Sequence, residues 1–302
     1  MKKVLIITYY WPPSGGSGVQ RWLKYVKYLV DFGIEPIVLT VDPLDAIYPN
    51  EDKSLLKDLS PNTEIHFAHA KSPLKSYQKI RNKPAPKSGF AGEADPTVMD
   101  TLFRFIRGNF FIPDARKGWN KNAIKSAKKI ILENSIDTII TTSPPHSTQL
   151  IGLKLKQDLQ INWICDLRDP WTELFYNKSM YQTALAKKID KTYERKCLDA
   201  ADEIIVVSQN ISNNFVSKYP RTETKINIIP NGYDPEDFEF LKTSPSETKY
   251  ISYIGSLGEE YPIEKFILSF QKLCQQESNW KLRFVGNISE KTINLIKKYA
   301  LE

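Results

Sequence analysis

The chain has 302 residues, of which 41% are hydrophobic and 25% charged, the balance of a folded globular protein with room for two domains, each with its own core. A formal net charge of +7 and an isoelectric point near 9.0 favour an acidic partner surface or substrate. No apolar run reaches the roughly 18 residues that cross a bilayer, and the chain starts on a strand pattern rather than a signal peptide, so a cytoplasmic location is expected.

In chain order, the run Val4-Leu5-Ile6-Ile7 predicts a strand over Lys3–Thr8, followed by the turn Tyr9-Tyr10-Trp11-Pro12-Pro13-Ser14-Gly15-Gly16-Ser17-Gly18 and by a segment from Gly18 to Phe32 with apolar residues at helical spacing. A glycine cluster ahead of a helix lets backbone N–H groups approach an anion, and the helix dipole favours negative charge there. The loop is a candidate phosphate or substrate cradle, with a plain tight turn as the equal alternative. The dinucleotide fingerprint fits only in part, because Arg21 stands where its third glycine belongs. The Lys and Ser/Thr of a P-loop are missing.

Further strands are predicted over Glu35–Val41, Glu64–Ala68, Thr138–Thr142, Asn162–Asp166, Glu203–Val207 and Lys225–Ile229. Helices are predicted over Asn120–Glu133, Thr148–Asp158, Thr183–Ala200 and Gln209–Lys218. This alternation implies an α/β architecture with a mostly parallel sheet covered on both faces. His66 and His69 alternate across one of these strands. With no further ligands in sight and no C-x-x-C among Cys165, Cys197 and Cys274, neither a metal site nor a disulfide framework is expected.

The segment from Lys71 to Gly118 breaks the rhythm. It opens with a Pro-, Gly- and Lys-rich stretch, continues with a helical pattern over Thr97–Arg107 and ends in the apolar elbow Phe110-Phe111-Ile112-Pro113-Asp114. It is either an acceptor- or membrane-facing lid or a variable surface loop. Lysine clusters at 71–87 and 117–129 suit an anionic membrane face as well as plain solvent, and no nucleic-acid motif accompanies them.

Beyond Pro230-Asn231-Gly232-Tyr233-Asp234, where Gly232 is expected at positive φ, a second βαβα series follows. Its strands are predicted at Tyr250–Ile254 and Lys281–Val285, and its helices around Ile263–Gln276 and Glu290–Tyr299. The domains are therefore expected at 1–240 and 241–302. The second holds two clear strands where open parallel sheets usually have about four to six.

Taken in order, Tyr10–Arg21, Thr142-Ser143-Pro144-Pro145-His146-Ser147, Asp166-Leu167-Arg168-Asp169-Pro170-Trp171 and Ile229–Asp234 resemble the retaining GT-B glycosyltransferases of family four, the group associated with bacterial surface polysaccharides. The resemblance implies two Rossmann-like doubly wound parallel-sheet domains, the second incomplete. It also implies metal-independent transfer of a sugar from a nucleotide-sugar donor, with no further cofactor, to a glycan or lipid-linked acceptor. The protein would then be cytoplasmic or peripheral at the inner membrane face.

On that pattern Gly15, Gly16 and Gly18 would admit donor phosphates, and Arg21 would add charge if its side chain points inward. His146 would lie near the transferred sugar as a hydrogen-bonding group. Asp166 and Asp169 would accept from sugar hydroxyls, and Arg168 would hold a carboxylate or phosphate or else bridge the two acids. Trp171 would stack on a sugar or pack the loop, and Asn231 is a minor donor contact. The departures lie in the second series: Ser256 and Glu259-Glu260 stand where the family commonly has an Arg and then a Lys, Lys265 comes late, and the family's paired glutamates would fall beyond residue 302. An epimerase of the same architecture, or an inactive glycan- or partner-binding remnant, are the alternatives.

Overall fold

A computed structural model describes residues 1–71, 98–239, 248–258 and 261–299. The Pro- and Lys-rich stretch at 72–97 and the Glu259-Glu260 pair lie outside the described residues. The described chain separates into two compact units, one up to Asp234 and one from Pro235 on, against the expected division at 240.

The first unit is built on seven parallel strands: β1 (Lys2–Ile7), β2 (Ile34–Val41), β3 (Glu64–Ala68), β4 (Thr138–Ser143), β5 (Asn162–Leu167), β6 (Glu203–Val206) and β7 (Ile226–Ile228). They lie in the order β3-β2-β1-β4-β5-β6-β7, with Leu5 opposite both Ile37 and Ile139. The helices are α1 (Ser17–Leu29), α2 (Val98–Phe110), α3 (Asn120–Glu133), α4 (Ser147–Asp158), α5 (Ala184–Ala200) and α6 (Gln209–Lys218). The α2 helix runs three residues past the predicted Arg107 and takes in Phe110, so the elbow begins after it.

Strand alternation sorts the core into two layers. Leu5, Ile7, Ile37, Leu39, Ile139 and Trp163 face one side with Trp119, whereas Val4, Ile6, Val38 and Ile140 face the other, where α1 inserts Val19, Trp22, Leu23 and Val26. Both faces of the central strands are covered, which explains why β1 and β4 read as near-continuous apolar or small-residue runs. Strand order reverses between β1 and β4. In an open α/β sheet the crevice beyond the carboxyl ends at such a switch is the ordinary ligand position, and the loops after β1, β4 and β5 all emerge there.

The second unit pairs β8 (Lys249–Ile254) in parallel with β9 (Trp280–Val285), with α7 (Glu264–Gln276) and α8 (Glu290–Lys298). Its core centres on Ile267 and Phe270, and Lys265 is exposed on α7. Gly232 does not take the positive φ expected of it. The segment before the second unit is instead fixed by side chains: Asp234, wholly buried, accepts from Lys24 Nζ at 2.7 Å, Lys27 Nζ at 2.9 Å and the Tyr28 hydroxyl at 2.7 Å, all on α1.

Removing one partner of a buried ion pair leaves uncompensated charge. Asp234→Ala is therefore expected to lower the unfolding free energy of the first unit by about 2–4 kcal/mol in urea titrations. Asp31→Ala, in the short turn after α1, should change it by less than about 0.5 kcal/mol.

Candidate functional site

The glycine loop enters α1 through Gly16, whose φ of 112° is a conformation that L side chains avoid. Gly15 is tied back, its N–H donating to Asn50 O at 3.0 Å. Gly18 is required by a neighbour rather than by its own backbone: a Cβ there would lie 1.3 Å from Nη1 of Arg168. The Arg168 guanidinium thus rests on the first turn of α1. It donates from Nε to Ser143 O at 3.1 Å and from Nη2 to Pro144 O at 3.1 Å. Among the described residues no carboxylate comes within 4.0 Å of it, so it does not bridge Asp166 and Asp169 by direct contact. Burial lowers its pKa, opposed by the fields of Asp166 and Asp169.

Arg21 and Asp166 have other tasks than those expected of them. Asp166 has no exposed surface, and its Oδ2 accepts from Trp22 Nε1 at 2.8 Å and Thr142 Oγ1 at 2.6 Å while Oδ1 faces Arg21 Nη2 at 3.5 Å. With both oxygens engaged by protein donors, it is a fastener of β4, β5 and α1. Arg21 points inward but towards protein acceptors: Ile229 O at 2.9 Å, Pro230 O at 3.0 Å and Asn231 Oδ1 at 3.0 Å. Asn231 is accordingly half of this clasp.

The loop after β4 delivers His146, 6% exposed, to the N-terminus of α4. Burial lowers its pKa, against the fields of Asp114 and Asp169, so the ring is neutral at physiological pH. Its Nε2 is buried without a hydrogen-bond partner among the described residues. Trp171 lies over it, ring centroids 5.0 Å apart, and is itself 2% exposed, so it packs the loop and offers no open stacking face. Trp171 Nε1 donates to Asp190 Oδ1 at 2.8 Å. Next to this pair, buried Glu194 accepts from Lys218 Nζ at 3.1 Å and the Tyr219 hydroxyl at 2.8 Å.

Two functional candidates escaped sequence reasoning. Asp114, at the end of the apolar elbow, accepts from Ser147 N at 2.7 Å and Ser147 Oγ at 2.8 Å, so it caps α4 beside His146. Arg116, two residues on, faces Tyr9 and Tyr10. An Asp just after Pro113 was a turn signal, but only the tertiary fold brings it to a helix 33 residues away.

Elsewhere, His69 Nδ1 lies 2.8 Å from Asp45 and 3.3 Å from Asp42 at the ends of β2 and β3, and the carboxylates raise its pKa. His66 pairs with Glu64 at 2.6 Å. Part of the 117–129 lysine cluster is spent on ion pairs, Lys128 with Asp158 and Lys129 with Glu133.

Asp190 gives a measurable pH signature. Burial raises its carboxyl from 3.8 to about 7; the Trp171 bond opposes this, and Glu194 and Asp114 add to it. A raised carboxyl binds its proton more tightly in the fold than in the unfolded chain, so its contribution is complete below pH 3.8 and is lost as pH rises to about 7. That shift corresponds to a loss of at most about 4 kcal/mol. Asp190→Asn should remove this decline, leaving the variant more stable than wild type at pH 8 and little different at pH 4 in parallel urea titrations.

Residues 17–237 match the family model described as Glycosyltransferase Family 4. No curated protein matches the chain by sequence. Among solved structures it is similar to a glycosyltransferase from Rickettsia africae (15% identity, 100% of this chain and 66% of that one, TM-score 0.54). It is also similar to the lipopolysaccharide outer core galactosyltransferase WaaB (14% identity, 99% and 66%, TM-score 0.53) and to a TarM variant from S. aureus bound to UDP (12% identity, 100% and 76%, TM-score 0.54). At such identities the likeness is one of fold, the GT-B architecture, and the chain spans just under two thirds of the length of the first two. No helix among the described residues is long and apolar enough to cross a membrane. With the matched region running from the start of α1 to the end of the first unit, the chain belongs to glycosyltransferase family 4.

Proposed function

We propose that the protein transfers a sugar, with retention and without a metal, from a nucleotide-sugar donor to a glycan or lipid-linked acceptor in cell-surface polysaccharide assembly, acting at the cytoplasmic membrane face. The observation that carries this reading is the pairing, at the carboxyl ends of β1, β4 and β5, of an Arg168 guanidinium lying on the first turn of α1 with a neutral His146 whose Nε2 has no protein partner. The first combination suits a donor phosphate, because a helix N-terminus and a guanidinium both favour negative charge. The second suits a hydrogen bond to a sugar hydroxyl. Related folds bind UDP in the TarM structure and act on lipopolysaccharide core in WaaB, which supports a nucleotide-sugar and a glycan as the substrate classes.

In this reading Asp166 and Arg21 keep the floor of the site in shape, Asp169 is the acid left for a sugar hydroxyl, and Asp114 and Trp171 hold His146. The second unit adds little to donor binding in this chain, since no Arg or Lys lies in the Gly255-Ser256-Leu257-Gly258 turn. Weak donor affinity is the consequence.

The reading is tested by titrating UDP- and GDP-sugars against the 302-residue chain and analysing products with and without glycan acceptor. A donor should bind weakly, Arg168→Gln should weaken it about tenfold, and His146→Ala should leave donor binding unchanged while cutting transfer at least about a hundredfold. Sugar epimerised with no acceptor present would replace transfer by epimerisation; absence of any donor binding would sink both.

A further inference from the structure

The α2 helix carries its apolar side outward. Val98, Leu102 and Phe105 recur at spacings of four and three residues, so they line one face, and all three are exposed, Val98 by 87%. Asp100, Thr101, Arg104 and Arg107 are half-buried instead, and the unit grips the helix through Gly108, where a Cβ would lie 2.4 Å from Met180 O. An ordinary surface helix shows the reverse, with its apolar stripe on the core and its polar residues in water. Asn109 ends the ridge four residues after Phe105. Its Nδ2 donates to Tyr181 O at 3.1 Å and its Oδ1 accepts from Thr183 N at 2.8 Å, which ties the ridge to the start of α5. Tyr181 and Leu185 flank that junction and are exposed as well.

The face of α5 that continues from this junction is cationic. Leu185, Lys188, Lys191 and Arg195 follow at three, three and four residues on one exposed side, with exposed Lys187 beside them. Among the described residues none of these four cations has a carboxylate within 4.0 Å, unlike Lys128 and Lys129 on α3, which pair with Asp158 and Glu133. The acids of α5 within this span, Asp190 and Glu194, are buried.

An apolar ridge that leads into unpaired cations is matched by an apolar phase bounded by negative charge. An anionic bilayer supplies both: the ridge enters the boundary between headgroups and acyl chains, while lysines and arginines gain from the acidic lipid layer. A nucleic acid would use the cations and leave the ridge in water. A second copy of the chain, docked through the same face, would set one cationic stripe against the other.

We propose that the outward face of α2 and the cationic face of α5 together form a surface that docks on an anionic lipid bilayer. The inference deepens the proposed function and rests on it for the choice of the cytoplasmic leaflet; docking itself requires neither donor nor acceptor.

The first measurement is co-sedimentation of the whole chain with vesicles at low salt, made either of equal parts phosphatidylcholine and phosphatidylglycerol or of phosphatidylcholine alone. Binding should be at least about tenfold tighter to the anionic vesicles. Leu102→Asp and Phe105→Asp should each weaken it about tenfold, and Lys188→Glu combined with Lys191→Glu about as much. Leu132→Asp, at an exposed apolar residue of α3, should change it less than about twofold. The second measurement uses wild type alone, so it does not depend on a variant's folding: lysine acetylation mapped by peptide mass spectrometry. Anionic vesicles should slow the labelling of Lys188 and Lys191 and leave exposed Lys281 in the second unit unchanged.

No binding to anionic vesicles, undiminished binding by folded Leu102→Asp, or no protection of Lys188 overturns the proposal. Self-association that Leu102→Asp abolishes, with no vesicle binding, overturns it in favour of a contact between copies. Vesicle binding by a chain that takes up no nucleotide sugar would sink the transferase reading and leave the docking surface standing. Donor binding without vesicle binding would do the opposite.

Discussion

The carboxylate of Asp166 is the point on which the first unit's functional edge depends. It is wholly buried at the end of β5, and a buried charge survives there only because donors from three directions converge on it: Thr142 from β4, Trp22 and Arg21 from α1. Those bonds fix the distance between α1 and the strand ends. Because Arg21 then reaches on to the carbonyls of Ile229 and Pro230, the same helix also holds the segment that leads out of the unit, and Asp234 repeats the arrangement two turns further along α1. One helix, whose first turn is the glycine loop, anchors the entrance and the exit of the sheet.

This frame explains the chemistry left at the surface. Since Arg21 is consumed by the clasp, Arg168 is the cation left beside the first turn of α1, and Gly18 is needed so that it can lie there. Behind them a second polar layer, Asp114 on Ser147 and Asp190 on Trp171, orients His146, while burial keeps its ring neutral against the field of Asp114. A neutral imidazole with one uncommitted nitrogen can donate or accept a single hydrogen bond without presenting charge, whereas the neighbouring guanidiniums do the opposite. Neutral and cationic groups are thus separated over adjacent loops.

Strand and helix positions were legible in the sequence because they rest on local periodicity. The runs at Val4–Ile7 and Thr138–Thr142 gave elements within a residue or two of those observed, whereas α1 ends at Leu29, with a separate 3-10 turn carrying on to the expected Phe32, and α2 extends to Phe110. The loops after β1, β4 and β5 were legible for the same reason, since each directly follows a strand. Side-chain assignments were less so. Arg21 lies on a helix face flanked by Trp22 and Leu23, and its partners are about 145 and 208 residues away, so nothing local says that it faces protein acceptors. Trp171 and Asn231 were similarly readable as ligand contacts until their burial and bonding were seen, and Gly232 needed no positive φ once Arg21 and Asp234 fixed the turn.

By itself, then, the sequence determined the α/β class, the succession of strands, the anion-favouring glycine turn and a family resemblance, because each depends on residues close together in the chain. Tertiary structure decided which charges are spent and which remain. That β1 lies beside β4, and β4 beside β5, follows from long-range strand order, and this adjacency brings the first turn of α1, Arg168 and His146 to one edge, where burial and the supply of counter-ions set their chemistry.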